Sequence, residues 1–235
     1  MIDEGSGRGL DGSRAVDGSR TVDGSRAVDG RFLGPLLCPL GRHPIGGGDQ
    51  DHGHVMDRRQ RRLLCACETC VRLLQQIKPG GGRYRAVPSR VLCDPELPLP
   101  EGRWAALGLP TRLAFLFFDS QLGRWVAFCP GAAGPTELDI PADAWGEASL
   151  DVPLIAELEP DVEALLVCGG RQAKSRDGGL ETLLLPIDVC YRLVTRVSRH
   201  WVGFSGGDDA WREIDDFMTA QRARALPRAA RHSAA

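Results

Sequence analysis

Residues 113 to 118 read Leu-Ala-Phe-Leu-Phe-Phe, six apolar side chains in a row. After a turn at Asp119-Ser-Gln-Leu-Gly123, a second apolar run extends from Trp125 to Cys129. A strand exposed on one face alternates apolar and polar residues. Two nearly unbroken apolar strands joined by a short polar turn therefore predict a β-hairpin in the middle of a sheet that helices cover. Val162 to Cys168 and Glu181 to Ile187, joined by the polar and flexible connection Gly169 to Gly179, predict a second hairpin of the same kind. The matched strands place both hairpins in one sheet. The expected fold class is α+β, a mostly antiparallel sheet of two hairpins with covering helices.

The remaining pieces of this body, residues 83–225, are read from periodicity and breakers. Arg83 to Val87 and Arg90 to Cys93 are extended, Trp104 to Leu107 is a helical turn closed by Gly108, and Thr136 to Ile140 is an edge strand. Pro141 to Ser149 is a helix with proline near its start. Ile155 to Leu158 gives another turn. Ile187, Cys190, Tyr191, Val194, Val197 and Trp201 fall on one helical stripe. Gly203 to Gly207 ends that helix, and Asp208 or Asp209 is expected to cap a last one carrying Trp211, Ile214, Phe217 and Met218. A tail, residues 226–235, is expected to fray.

At the other end a hexamer recurs three times: Asp11-Gly-Ser-Arg-Ala-Val16, Asp17-Gly-Ser-Arg-Thr-Val22 and Asp23-Gly-Ser-Arg-Ala-Val28. One valine per unit buries too little apolar surface to offset the entropy of ordering the chain, so residues 1–31 are expected to form a disordered tail. No run of 18 apolar residues and no signal-peptide pattern occurs, and a cytoplasmic, non-membrane protein is expected. There the eight cysteines stay reduced. A dense cluster of them points to metal binding or redox chemistry, not to a disulfide framework.

Such a cluster stands at Cys65-Ala-Cys67-Glu-Thr-Cys70, three thiols in six residues, between a short strand at Arg61 to Leu64 and a helix carrying Val71, Leu73, Leu74 and Ile77. Cys67-x2-Cys70 lets one tight turn aim two thiolates at one ion. A tetrahedral zinc site needs about four ligands. The candidates to complete it are Cys38, His43, His52 and His54, and the set expected is Cys38, Cys67 and Cys70 completed by Cys65 or His54. This makes residues 36–78 a Cys/His knuckle holding zinc, with an iron-sulfur cluster as the alternative. The nearest carboxylate is Glu68, and no general base is otherwise at hand, so the site reads as structural and the protein as no enzyme. Cys93, Cys129, Cys168 and Cys190 lie in apolar strands or on an inner helical stripe and read as packing. No glycine-rich loop has a phosphate-cradle pattern.

Charge is unevenly spread. Net charge is −2, yet residues 57 to 90 carry nine basic side chains against Asp57 and Glu68, and residues 91 to 216 carry 21 acids against 10 bases. A basic head before an acidic body favours a charged partner, internal docking of the two, or plain solvated faces. Nucleic-acid binding is disfavoured, since Tyr84 alone could stack and the acidic body opposes a polyanion.

Several stretches together resemble an uncharacterised bacterial family encoded beside high-affinity nickel-iron hydrogenases. They are Arg61-Arg-Leu-Leu-Cys-Ala-Cys67 with Cys70, Arg83-Tyr-Arg-Ala-Val-Pro88, Trp104-Ala-Ala-Leu-Gly108, Leu113-Ala-Phe-Leu-Phe-Phe118, Glu159-Pro-Asp-Val-Glu-Ala-Leu-Leu-Val167 and Pro186-Ile-Asp-Val-Cys-Tyr191. The resemblance covers roughly Cys38 to Ala225. In that family a CxxC precedes a His-x-His step and the CxCxxC. Here Cys38 matches the first thiol, Gly41 stands in place of the second, and His52-Gly-His54 matches the histidine step. The resemblance implies an accessory role in hydrogenase maturation or assembly, with hydrogenase subunits or maturation factors as protein partners.

Overall fold

A computed structural model describes residues 37–45, 52–77, 82–131, 133–170, 179–203 and 205–228. The hexamer repeats, residues 229–235 and most of the Gly169 to Gly179 connection lie outside the described residues.

The architecture is α+β. Strands β4 (Leu92–Cys93), β6 (Leu113–Asp119), β7 (Arg124–Cys129), β8 (Thr136–Asp139), β9 (Glu163–Cys168), β10 (Gly179–Pro186) and β11 (Leu226–Pro227) form one sheet in the order β11-β4-β10-β9-β6-β7-β8, and β5 (Leu99–Pro100) also pairs with β10. Its pairs are antiparallel except β11 with β4. Both apolar hairpins are present, and β6 joins them by pairing with β9, Phe115 opposite Leu166. The Thr136 strand sits at the edge.

Side chains alternate strictly between two cores. Leu113, Phe115 and Phe117 of β6 face α4 (Ile187–Ser198) and α5 (Gly207–Arg224), where Val194, Val197, Trp211 and Ile214 are buried. Ala114 and Leu116 face Trp104 of α2 (Glu101–Ala106) and Trp145 of α3 (Ala142–Leu150). Helices on both faces are why β6 and β7 carry no polar residue except at their ends.

Ahead of this sheet lies a second one. β1 (Gly53–Asp57), β2 (Arg62–Ala66) and β3 (Tyr84–Ala86) pair antiparallel in the order β2-β1-β3, and α1 (Glu68–Gln75) follows β2. One face sends Met56 and Leu63 into the core shared with α4 and α5. The other sends Val55 and Ala66 into a small core with Cys38, Ile45, Cys67 and Val71.

Four readings change. β1 is not among the strands expected from the sequence; it forms because Val55 and Met56 each find a core on opposite faces of the same strand. The Arg83 strand belongs to the small sheet, not to the body. Leu226–Pro227 does not fray: Leu226 N–H donates to Val91 O, Arg228 N–H to Cys93 O, and the Arg228 side chain to Asp94. The last helix begins at Gly207 with Gly206 as its cap residue, so Asp208 and Asp209 sit in its first turn, where carboxylates favour the positive end of the dipole.

Candidate metal centre

The segment before β1 folds back on itself. Leu37 bridges Pro44, Cys38 N–H donates to His43 O at 2.8 Å, and Arg42 N–H donates to Cys38 O at 2.9 Å. This tight turn aims the Gly41 N–H at the Cys38 sulfur, 3.4 Å away. On the other side β2 ends at Ala66, Cys67 takes the cap position of α1 in extended conformation, and Cys70 lies in that helix's first turn. The sulfurs of Cys38, Cys67 and Cys70 all lie within 4.8 Å of one another. Sulfurs bound tetrahedrally to zinc at ~2.3 Å stand roughly 3.8 Å apart, so the group needs little closure to hold an ion.

Electrostatics split the three thiols. Burial pushes the Cys38 thiol up, but the amides of Gly41, Cys67 and Leu40 facing it outweigh that and bring it to about 7. Cys70 is pushed up to about 12 by burial and then by the neighbouring Cys67 and Cys38 sulfurs. Cys38 therefore gives up its proton more readily than Cys70, and a cation favours the thiolate form of both.

The structure does not bring Cys65 or His54 to this group. Cys65 lies on β2 opposite His54 on β1, and both belong with His52, their ligand atoms again within 4.8 Å of one another. The pleat explains the division. His52, His54 and Met56 alternate onto the body-facing side of the small sheet, whereas the chain turns at Cys67 into α1, which packs with Val55 and Ala66 on the opposite side. His43 is exposed, with its ring Cδ2 3.2 Å from where a β carbon on Gly41 would stand.

His54 reaches into the body. Its Nδ1 lies 2.9 Å from Asp188 Oδ2 at the start of α4, both side chains 9 % exposed. Burial pulls the imidazole down, but the Asp188 carboxylate, with Cys65 beside the ring, raises it to about 9. Asp188 was legible only as part of an apolar helix start. His52 was a candidate for the Cys38 group, and the signal that separates it is the His-x-His alternation once residues 53–57 are recognised as a strand.

The basic head is docked on the acidic body. Arg58 donates to Asp161 at 2.8 Å, Arg61 to Asp119 at 2.5 Å, Arg85 to Glu159 at 2.7 Å and Arg90 to Glu163 at 2.6 Å. Asp119, Asp161 and Glu163 are buried. These arginines neutralise acids that would otherwise be stranded in the interior. Among the described residues no helix is long and apolar enough to cross a membrane.

A family model matches residues 37–225, a span that holds both side-chain groups and the whole body. No curated protein and no solved structure matches the chain.

Proposed function

The chain belongs to a family of unknown function, DUF5947, and from that footing we propose that it is a non-catalytic accessory or assembly protein whose thiol group holds a structural, zinc-type ion. The observation that carries this reading is the convergence of Cys38, Cys67 and Cys70 from two chain segments onto one point beside α1. An ion there ties the Leu37 to Ile45 turn to the β2–α1 junction, a small core that holds few large side chains of its own. Glu68, the nearest carboxylate in sequence, is 73 % exposed and paired with Arg72, so it is poorly placed to act as a base at the ion. A nickel-iron hydrogenase system as partner rests on the sequence resemblance alone.

A second reading has its own support. A β carbon on Gly41 would sit 2.7 Å from the Cys70 sulfur, so the fourth side of the thiol group is lined by backbone. Among the described residues no fourth side chain completes the group from this side, so a sulfide of an iron-sulfur cluster would supply the missing donor, and the protein would then handle metal in transit.

Protein purified without oxygen, assayed for metal and scanned for visible absorption, separates the two. Tightly held zinc, no visible bands and a fall in melting temperature on chelation support the structural site. Iron with sulfide supports the second reading, and retention of no metal by the Cys38 group with unchanged melting removes both. For the partner, deletion in the native host is expected to lower assembled hydrogenase, restored by the wild-type chain and not by Cys67→Ser; unaffected assembly overturns that part.

A further inference from the structure

We propose that His52, His54 and Cys65 form a second cation site, distinct from the three-thiol group, with Asp188 of the body as its orienting carboxylate. Three observations converge on it. The ligand atoms of the three residues lie within 4.8 Å of one another. The arrangement is built by the sheet, since His52 immediately precedes β1, His54 lies on it two residues later, and Cys65 is the cross-strand partner of His54. His54 is buried, its Nδ1 is engaged by Asp188 at 2.9 Å, and its Nε2 has no hydrogen-bond partner among the described residues.

The last point is the one that asks for a ligand. A buried polar atom left without a partner costs about 1–3 kcal/mol, and a protein that fixes one imidazole nitrogen with a carboxylate has committed the other to a specific acceptor role. When the ring is neutral and Nδ1–H donates to Asp188, Nε2 carries the lone pair, so a cation bound there takes the place of the proton. That carboxylate–imidazole arrangement is the usual outer support of a metal-bound histidine, fixing both its ring orientation and its tautomer.

Two imidazoles and one thiolate make a harder donor set than three thiolates, suited to zinc, cobalt or nickel as divalent ions. As in the three-thiol group, three protein ligands leave one coordination position for a donor from outside the chain. The two groups also differ in what they connect. The thiols join two parts of the small domain, whereas His54 and Asp188 join the small sheet to α4, so occupancy of this second site bears on how the head is held against the body.

Cys65, His54 and Asp188 also line up as thiol, imidazole and carboxylate, the order of a nucleophile, base and orienter. His52 decides against that: a nucleophilic row has no use for a second imidazole within 4.8 Å of the sulfur, and a metal site does.

The test uses the full chain, stripped of metal and titrated without oxygen with cobalt(II), reading thiolate-to-cobalt absorption, and then with zinc. The wild type is expected to bind two equivalents. Cys65→Ser and His54→Gln should each lose one and keep the ion at Cys38, Cys67 and Cys70; Cys67→Ser should show the reverse loss, so failure of the structural site and failure of this one are told apart. Asp188→Asn should keep both equivalents while weakening the second by roughly 10–100-fold. Binding by the wild type of a single equivalent that Cys65→Ser retains, or of two by Cys65→Ser, overturns the site. A wild-type measurement guards against variants that misfold: zinc should slow alkylation of Cys65 by iodoacetamide, mapped by mass spectrometry. An alkylation rate indifferent to zinc overturns the proposal and favours the nucleophilic row.

Discussion

A β carbon built on Gly41 would stand 2.7 Å from the sulfur of Cys70 and 3.6 Å from that of Cys67. Position 41 is therefore one wall of the three-thiol group, and any side chain placed there either donates to the ion or displaces a ligand. Gly41→Cys is expected to supply a fourth thiolate and slow metal transfer to a chelator by roughly tenfold or more, the scale on which changes around a ligand sphere act. Gly41→Ala adds bulk without a donor and should speed the transfer. The same chelator competition on both variants checks this, and equal rates would contradict the geometry.

Serine at Cys67 or Cys70 removes a thiolate from the group and should abolish retention of its ion, with a lower melting temperature. Cys168, at the end of β9 and buried in the body core, is the control. Cys168→Ser should keep the metal and cost about 1–3 kcal/mol, since it places a hydroxyl where a weakly polar thiol packed. Metal content and urea unfolding of the three variants are the readouts.

Burial and its pairing with Arg90 set the value of Glu163. That carboxylate accepts from Arg90 Nε at 2.6 Å, from Nη2 at 2.8 Å and from the Glu159 amide at 2.8 Å, and it is fully buried. Glu163→Gln leaves these donors short of charge and should destabilise by about 1–3 kcal/mol. Arg59→Ala, at an exposed position of the same basic run, should change stability by no more than about 0.5 kcal/mol. Comparable losses in urea unfolding would mean that the run is not docked as described.

Acid should loosen the head before neutral pH does. The Arg83 guanidinium, bound to both oxygens of Asp57, holds that carboxyl below its ordinary value, and Arg112 does the same to Glu101. A folded-state pKa depressed below the unfolded one contributes stability that is complete above the ordinary carboxylate value of about 4 and is lost as pH falls through the lowered value. Asp57→Asn should thus be less stable than wild type at pH 7, with the gap closing as both are unfolded in urea at progressively lower pH. A gap that persists at low pH would assign the loss to packing instead of charge.

Much of the body was legible because its signals are local. Leu113 to Phe118 and Trp125 to Cys129 are apolar on successive residues, and such runs have one stable use, strands covered on both sides. The stripe from Ile187 to Trp201 likewise reports a buried helix face from spacing alone. Short elements that owe their order to distant partners were not legible in the same way. β1 has only Val55 and Met56 as apolar residues, Leu226–Pro227 is a strand only because Leu92–Cys93 lies beside it, and the cap of α5 falls on a glycine whose φ of 92° an aspartate would not favour.

For the thiols and histidines, sequence alone determined which residue types come together: the spacing Cys67-x2-Cys70 commits two thiols to one turn, and His52-x-His54 commits two imidazoles to one side of any strand that forms there. How those donors are divided was decided only by the tertiary structure. A strand sends its side chains to two faces, and which face meets α1 and which meets α4 depends on how the small sheet packs on the body, through contacts such as Met56 and Leu63 in the main core and His54 on Asp188. That packing separates Cys65 from Cys67 although only Ala66 lies between them, and it sets a carboxylate from α4 behind a histidine of β1.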